Sequence, residues 1–303
     1  MRHLFLILLA GIIGLGIWMH ERSLPLPEHH LQIAERQAMA TAPGRRMEHI
    51  VLRSARLGEI GFTINLPDPL PPGKLPIILV MGGLGSGAEN TSYITRMGNN
   101  AVIGYDWPMP IWLPDGPDLL AAAPGLYRQV MTTPAQAASA VDWAVSQPWA
   151  DRNRISILGY SLGALAAPAV QDSVQKAGHV VGWTIIAYGG APLGKILSIE
   201  KNVTSPWRRR ALELAIDIVL HPLEPTLHLP KLAGSFLILE GKDDTLMPPD
   251  ARALLRDSVP QPKTVITFDG THMGVGQSKA VLLEKIIAAS GQWLVASGAV
   301  NPL

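Results

Sequence analysis

Residues 154–170 read RISILGYSLGALAAPAV, and this stretch decides the predicted fold. Its first part is a short apolar run ending at Leu158, typical of a buried β-strand, and its last part, from Leu162 onward, has helical spacing. Between them lies Gly-Tyr-Ser-Leu-Gly, with Ser161 at the centre. A tight strand-to-helix turn of this kind exposes a serine hydroxyl above the sheet, and the flanking glycines let strand and helix approach closely. The motif indicates a nucleophilic serine; the alternative is a glycine-rich turn with a capping serine.

Short apolar runs alternate with helical segments through the rest of the chain. Continuous apolar runs suit parallel strands covered on both faces, so the alternation predicts a doubly wound, mostly parallel α/β sheet. Residues 48–66 alternate in polarity around Leu57-Gly58 and predict an antiparallel hairpin ahead of that sheet. The segment Ala191–Gly234 is long for a plain crossover and leaves room for a small cap. The predicted parallel strands are Ile77–Met81, Ala101–Tyr105, Arg154–Gly159, Val180–Ala187, Phe236–Leu239 and Val265–Phe268, and the predicted helices are Pro134–Ser146, Leu162–Val174, Pro206–Leu220, Pro248–Asp257 and Lys279–Val295.

The N-terminus carries an uncharged run from Leu4 to Met19. As a helix it would span about 24 Å, between a long signal-peptide core and a short membrane anchor. Residues 1–21 are therefore predicted to be a signal anchor or a cleaved signal peptide, with a buried core helix as the third alternative. Either of the first two exports the chain, anchored at the membrane facing the periplasm or exterior, or secreted. Residues 22–46 lack an apolar period and are predicted to be a linker, and 47–303 to form one domain.

Composition excludes several classes of function. The chain of 303 residues has 25 Lys and Arg, 24 Asp and Glu, and a net charge of +1, so no electrostatic footprint for nucleic acid is present. The absence of Cys excludes disulfide scaffolds, zinc–thiolate sites, iron–sulfur clusters and thiol nucleophiles. No metal is expected, because His29-His30 lacks a partner set in the sequence and no His-Glu-x-x-His occurs. No cofactor is predicted.

A nucleophilic serine needs a base, and the base needs an orienting carboxylate. In an α/β sheet of this type the expected chain order is serine, acid, histidine, and His272 alone of the nine histidines follows the last predicted strand. The acid is expected in the loop after Phe236–Leu239, where Asp243 and Asp244 both qualify. From the residues alone, the choice between these two aspartates stays open, as does a role for both as helix caps.

A glycine-rich loop, Met81-Gly82-Gly83-Leu84-Gly85-Ser86-Gly87, follows the strand Ile77–Met81. Developing negative charge on a carbonyl oxygen requires backbone N–H donors, which such a loop can bring close to a substrate. The predicted donors are Leu162, the residue after the serine, and Gly83, with Leu84 as the second choice in the loop.

The same loop supports a rival hypothesis. Gly83-x-Gly85-x-x-Ala88 matches a dinucleotide-binding fingerprint, and Asp106 follows at about the interval expected of a ribose-binding acid. The residues after Ala88 form a poor helix, however, and Asp106 is followed by Trp107-Pro108, which suits a loop.

Together these motifs resemble the α/β-hydrolase superfamily, in particular its dienelactone hydrolase-like and prolyl-peptidase-like serine esterases, over residues 48–298. Gly241-x-x-Asp244-x-x-Met247-Pro248 resembles the family's acid loop, which implies Asp244 as the triad member, and Gly270-Thr271-His272 resembles its histidine loop. Two features depart from the pattern: Met81 stands where a histidine commonly precedes the oxyanion glycine, and the Trp107–Pro124 loop matches no named subfamily.

The resemblance implies a serine hydrolase of carboxylic esters or thioesters. Its catalytic residues would be Ser161, Asp244 and His272, its oxyanion donors Gly83 and Leu162, and its substrate a small acyl ester. Trp107 and Tyr160 are predicted to contact that substrate. An acyltransferase or a non-catalytic binder on the same fold are the alternatives.

Overall fold

The computed structural model describes residues 23–83, 87–109, 116–199, 205–274 and 280–303. Within these ranges one sheet of nine strands runs in the order β1-β2-β3-β5-β4-β6-β7-β8-β9. Strands β1 to β3 pair antiparallel, and β3 pairs antiparallel with β5. The six remaining strands of the sheet, β4 to β9, are parallel to one another. The strands are β1 Gln32–Met39, β2 Arg45–Ser54, β3 Gly58–Pro67, β4 Leu75–Met81, β5 Ala101–Tyr105, β6 Ala150–Tyr160, β7 Trp183–Ala187, β8 Ser235–Gly241 and β9 Lys263–Phe268.

Helices cover both faces of the parallel strands. Alternate residues of each strand point to opposite faces, so Ile77 and Leu79 join one core cluster with α2 and α3, whereas Ile78 and Val80 join another with α8. The helices are α1 Gly87–Ser92, α2 Gly116–Val145, α3 Leu162–Lys176, α4 Leu193–Leu197, α5 Pro206–Val219, α6 Pro225–His228, α7 Pro249–Ser258 and α8 Ala280–Ala296. The predicted doubly wound, mostly parallel α/β sheet and its leading antiparallel hairpin are confirmed.

The prediction that residues 22–46 are a linker is wrong for Gln32–Met39, which forms the edge strand β1, and for Arg45 and Arg46, with which β2 begins. Seven of its eight residues are exposed, so neither face has to be apolar. The hydrophobic alternation that marks a half-buried strand is therefore absent from the sequence.

Two further predictions concern regions beside the sheet. The predicted signal segment, residues 1–21, lies outside the described residues, and among the helices that are described none is both long and apolar enough to cross a membrane. The second prediction is room for a small cap within Ala191–Gly234, and between β7 and β8 the chain forms α4, α5 and α6. None of the side chains of α5 is buried, and Trp207 at its start is 70% exposed.

The parallel strands bring the four predicted functional loops to one edge of the sheet. Met81, Tyr160, Gly241 and Phe268 are the last residues of β4, β6, β8 and β9, and all four strands point the same way. The loops that follow them therefore meet at the carboxyl edge, where ligands bind in open α/β sheets.

Candidate active site

Ser161 occupies a strained turn between β6 and α3. Its backbone has φ 54° and ψ −113°, a positive φ that is rare for a residue with a side chain. The two flanking glycines are sterically required: a Cβ atom on Gly159 would lie 2.5 Å from the carbonyl oxygen of Gly163, and one on Gly163 would overlap the carbonyl oxygen of Met81. This close packing holds the Ser161 side chain above the carboxyl edge of the sheet.

His272 lies within hydrogen-bond distance of both predicted partners. Its Nε2 is 2.8 Å from Ser161 Oγ and its Nδ1 is 2.8 Å from Asp244 Oδ2. An ionised carboxylate only accepts hydrogen bonds, so Nδ1–H donates to Asp244 and Nε2 is left to accept from the serine hydroxyl. The three side chains form one hydrogen-bonded chain, in which the imidazole is 8% exposed and the carboxylate is fully buried.

The loop after β8 presents Asp244, and not Asp243, to the histidine. Oδ1 of Asp244 accepts hydrogen bonds from the backbone N–H groups of Leu246 at 2.9 Å and Met247 at 3.1 Å. One oxygen of the Asp244 carboxylate thus accepts from the loop backbone, and the other accepts from the imidazole. The side chain of Asp243 is exposed. The geometry therefore separates the two aspartates that spacing alone leaves equivalent.

Close packing holds the acid and histidine loops together. A Cβ atom on Gly241 would lie 2.9 Å from the carbonyl oxygen of Thr271, and Asp243 N–H donates to the Gly270 carbonyl at 3.0 Å. From α7, Arg252 donates to the carbonyl oxygens of Gly241 and Lys242. These contacts explain how residues 28 positions apart keep their 2.8 Å distance.

Tyr188 forms a wall beside the histidine. Its ring meets the His272 ring edge-on, with centroids 5.5 Å apart. Burial and the negative charge of Asp244 raise the pKa of the Tyr188 phenol to about 12, so the phenol stays neutral at physiological pH. The tyrosine therefore shields the imidazole–carboxylate pair from water without adding charge.

The predicted oxyanion donors lie beside the serine. Leu162 is the first residue of α3, so its N–H has no acceptor within the helix. The Gly163 N–H donates to the Gly82 carbonyl at 3.1 Å, which connects the glycine loop to the turn that holds Ser161. Gly83 is exposed beside this contact, and nothing lies within 4 Å of where its Cβ would be. Leu84, the second choice, lies outside the described residues.

A cavity of about 210 Å³ opens at Ser161. Tyr160, one of the two predicted substrate contacts, lines it; Trp107, the other, does not. Trp107 instead packs into the core, its ring centroid 5.9 Å from that of Tyr105. An aromatic residue at a strand end can turn into the core as readily as toward the site, so a contact between Trp107 and a substrate stays a prediction.

The residues that line this cavity and that sequence reasoning missed include Glu89, Asn90 and Tyr93. They follow the glycine loop on and after α1, where Asn90 and its neighbours only suggest a weak helix. Their signal is position: residues that directly follow the glycine loop after β4 lie at the same carboxyl edge of the sheet as Ser161.

Asp106, the acid of the rival dinucleotide-binding hypothesis, has other contacts. Asp106 Oδ2 is 2.7 Å from His49 Nε2, and Oδ1 accepts a hydrogen bond from the Gly87 N–H. The helix that would face a pyrophosphate, Gly87–Ser92, has only six residues. Asp106 thus joins the hairpin to the start of α1, and its carboxylate is not turned toward a ribose site.

One group of three potential metal ligands occurs in the described part of the chain: His29, Asp142 and His179. His29 Nδ1 and His179 Nε2 lie 2.8 Å and 2.9 Å from the same oxygen, Asp142 Oδ1. The expectation that His29 lacks a set of potential metal-ligand partners is wrong. Its partners, Asp142 and His179, lie more than 100 positions away in the sequence, so local spacing does not indicate them. Both imidazoles lie within hydrogen-bond distance of Asp142, and the cluster links the N-terminal segment to α2.

This cluster predicts a specific dependence of stability on pH. Burial alone would raise the pKa of Asp142, but hydrogen bonds with His179 and His29 outweigh burial and lower it to about 2. A pKa that is lower in the folded state stabilises the protein above pH 4, and this contribution disappears as the pH falls from about 4 to about 2. The advantage of the native protein over Asp142→Asn should therefore be about 1–2 kcal/mol in the free energy of unfolding at pH 7 and should shrink at pH 3.

Denaturant unfolding of both proteins at several pH values measures this difference. Asp243→Asn, at an exposed carboxylate, is the control and should show a difference close to zero at every pH. A difference for Asp142→Asn that stays constant from pH 7 to pH 3 would contradict the linkage.

The sheet order, the strained serine turn and the loops at the carboxyl edge together define the α/β-hydrolase fold. Solved structures of esterases share this fold. Acetyl xylan esterase 1 from Thermoanaerobacterium sp. JW/SL YS485 has a TM-score of 0.60 at 15% identity, covering 90% of this chain and 98% of its own. An acetyl xylan esterase from Paenibacillus sp. R4 has a TM-score of 0.58 at 18% identity, covering 91% of this chain and 92% of its own.

An S-formylglutathione hydrolase from Agrobacterium tumefaciens is also similar, with a TM-score of 0.57, 18% identity and coverage of 87% of this chain and 98% of its own. No protein-family model and no curated protein sequence matches the chain. At these identities the similarity shows the α/β-hydrolase fold.

Proposed function

We propose that the protein is a serine hydrolase that cleaves carboxylic esters or thioesters through an acyl-enzyme intermediate. The observation that carries this proposal is the hydrogen-bonded chain from Ser161 through His272 to Asp244, with two contacts of 2.8 Å. It joins a nucleophile to a base and an orienting acid at the edge of the sheet where substrates bind. The esterases among the structural neighbours support the same reaction class.

The geometry suits acyl transfer in two steps. In the first, His272 Nε2 takes the hydroxyl proton as Ser161 Oγ attacks the carbonyl carbon, and the carbonyl π electrons move to the oxygen. The N–H groups of Leu162 and Gly83 stabilise this oxyanion. The tetrahedral intermediate then collapses, the bond to the alkoxide breaks, and the leaving group takes the proton from Nε2.

In the second step, water repeats the attack on the acyl-serine. His272 takes a proton from the water, the acid leaves, and Ser161 Oγ recovers its proton. Asp244 remains ionised throughout, holding the imidazole with Nδ1 protonated and stabilising its transient positive charge. No step requires a cofactor.

We also propose where in the cell the protein acts. The uncharged run Leu4–Met19 favours export of the chain, with the hydrolase outside the cytoplasm and either anchored by this segment or released after cleavage.

Covalent labelling tests the nucleophile directly. A fluorophosphonate probe phosphonylates a serine only where an adjacent base and oxyanion donors activate it. We expect labelling of the native protein, loss of labelling after heat denaturation, and a mass shift on the peptide that contains Ser161. Stable labelling of a different residue, or no labelling of a protein that unfolds cooperatively, would contradict the proposal.

A further inference from the structure

A second, larger cavity lies beside the pocket at Ser161. Its volume is about 1130 Å³, against about 210 Å³ for the pocket at the serine. Protein interiors are normally packed as densely as organic crystals, so a space of this size beside a buried sheet face is a candidate binding site. Ligand pockets in proteins usually measure roughly 300–1,000 Å³, so the larger space is ample for a ligand and the smaller one is not.

Among the residues that the structure describes, no long helix covers this part of the sheet. Helix α1 ends at Ser92, and the chain from Tyr93 to Asn100 runs without regular helix until β5 begins. Ile78, Val102 and Leu158 of the sheet, all three buried, line the cavity between this irregular segment and α8.

The walls of the cavity are mainly apolar. The sheet contributes aliphatic side chains, the opposite wall on α8 contributes Leu283, Ile287 and Leu294, and the irregular segment contributes Ile94 and Met97. The charged side chains among its described lining residues, Arg96 and Glu284, are both exposed. Such a lining favours an uncharged hydrocarbon group and gives no buried charge to pair with a polar one.

The two spaces adjoin each other. The residues that line both are Tyr93, Ile94, Tyr160, Leu283 and Ile287. Tyr160 is the residue directly before the proposed nucleophile, and burial raises the pKa of its phenol to about 12, partly offset by a hydrogen bond with Ser290. A neutral ring therefore lies at the boundary between the pocket at Ser161 and the larger space.

We propose that the larger cavity is the binding site for the acyl chain of long-chain esters whose carbonyl group lies at Ser161. This inference rests on the proposed function and narrows its substrate class. At about 30 Å³ per water molecule, the pocket at the serine holds only about seven waters, enough for the reacting group and a few carbons. A longer chain has to enter the apolar space beyond Tyr160.

The test compares hydrolysis of p-nitrophenyl acetate and p-nitrophenyl decanoate below their micelle concentrations. Each methylene buried in an apolar site contributes about fourfold in affinity at most. We expect kcat/KM for the decanoate to exceed that for the acetate at least tenfold. We also expect the native protein to bind cis-parinaric acid, with displacement by dodecanoate and not by acetate.

Two variants place a large side chain in the cavity from opposite walls. Ala288→Trp on α8 and Thr95→Trp on the irregular segment both alter exposed residues that line only the larger space, so the fold should tolerate them. Each should lower the decanoate-to-acetate ratio at least tenfold and weaken cis-parinaric acid binding. Val281→Trp, at a 65% exposed position on α8 outside both linings, is the matched control and should leave the ratio unchanged.

The outcomes separate the two proposals. Turnover of the acetate with no preference for the decanoate and no binding of cis-parinaric acid would overturn the acyl-chain site and leave the esterase standing. Equal ratios in the native protein and in both tryptophan variants would also overturn it. Binding of cis-parinaric acid that the variants abolish, with no ester of either length hydrolysed, would overturn the proposed function and support a fatty-chain site.

Discussion

Replacing Ser161 by alanine should lower kcat/KM for p-nitrophenyl acetate by about 10⁵-fold and abolish labelling by a fluorophosphonate probe. The reason is that Oγ is the atom within 2.8 Å of the only base in the hydrogen-bonded chain, and alanine removes the nucleophile altogether. Any residual rate would come from a water molecule attacking a carbonyl that the remaining oxyanion donors still polarise. Steady-state kinetics and gel fluorescence measure both effects.

The same substitution should leave the fold intact. Alanine fits where serine did, and the steric demands of the turn rest on Gly159 and Gly163. The matched control is Ser173→Ala, which removes a hydroxyl from a buried position further along the same helix. It should retain native activity and labelling. Full activity of Ser161→Ala at a native unfolding temperature would show that another residue is the nucleophile.

The turn that holds Ser161 and the parallel strands could be predicted from sequence because their signals are local. Strand, Gly-x-Ser-x-Gly and helix occupy consecutive residues, and the steric need for Gly163 is already visible in that spacing. His272 could be selected because chain order fixes which loop it occupies. In each case a short segment carries enough information to place the residue on its element.

Features that depend on distant partners could not be predicted in this way. Edge strand β1 lacks an apolar pattern because it is exposed, and the partner of His29 is Asp142, more than 100 residues away. Whether Trp107 faces the core or the substrate depends on packing across the sheet. Asp243 and Asp244 are adjacent in sequence, and only the path of the loop decides which carboxylate meets the imidazole.

Asp244→Asn should lower kcat by about 10⁴-fold without unfolding the protein. The native Oδ1 accepts two backbone N–H groups, from Leu246 and Met247, so the amide oxygen of asparagine must take that place. The amide NH₂ then faces His272 Nδ1. Because NH₂ can only donate, Nδ1 has to accept, and the ring proton moves to Nε2. A protonated Nε2 cannot take the proton of Ser161, so the nucleophile stays inactive.

Asp243→Asn is the internal control for this argument, since it removes a carboxylate of equal charge one residue away. Its side chain is exposed, so kcat should stay within about twofold of native. A purely electrostatic role for the loop would instead make the two variants similar, because both remove one negative charge. A large loss in Asp243→Asn with native activity in Asp244→Asn would reverse the assignment. The ratio of kcat for Asp243→Asn to kcat for Asp244→Asn therefore separates the effect of the tautomer that Asp244 imposes on His272 from the effect of one negative charge in the loop.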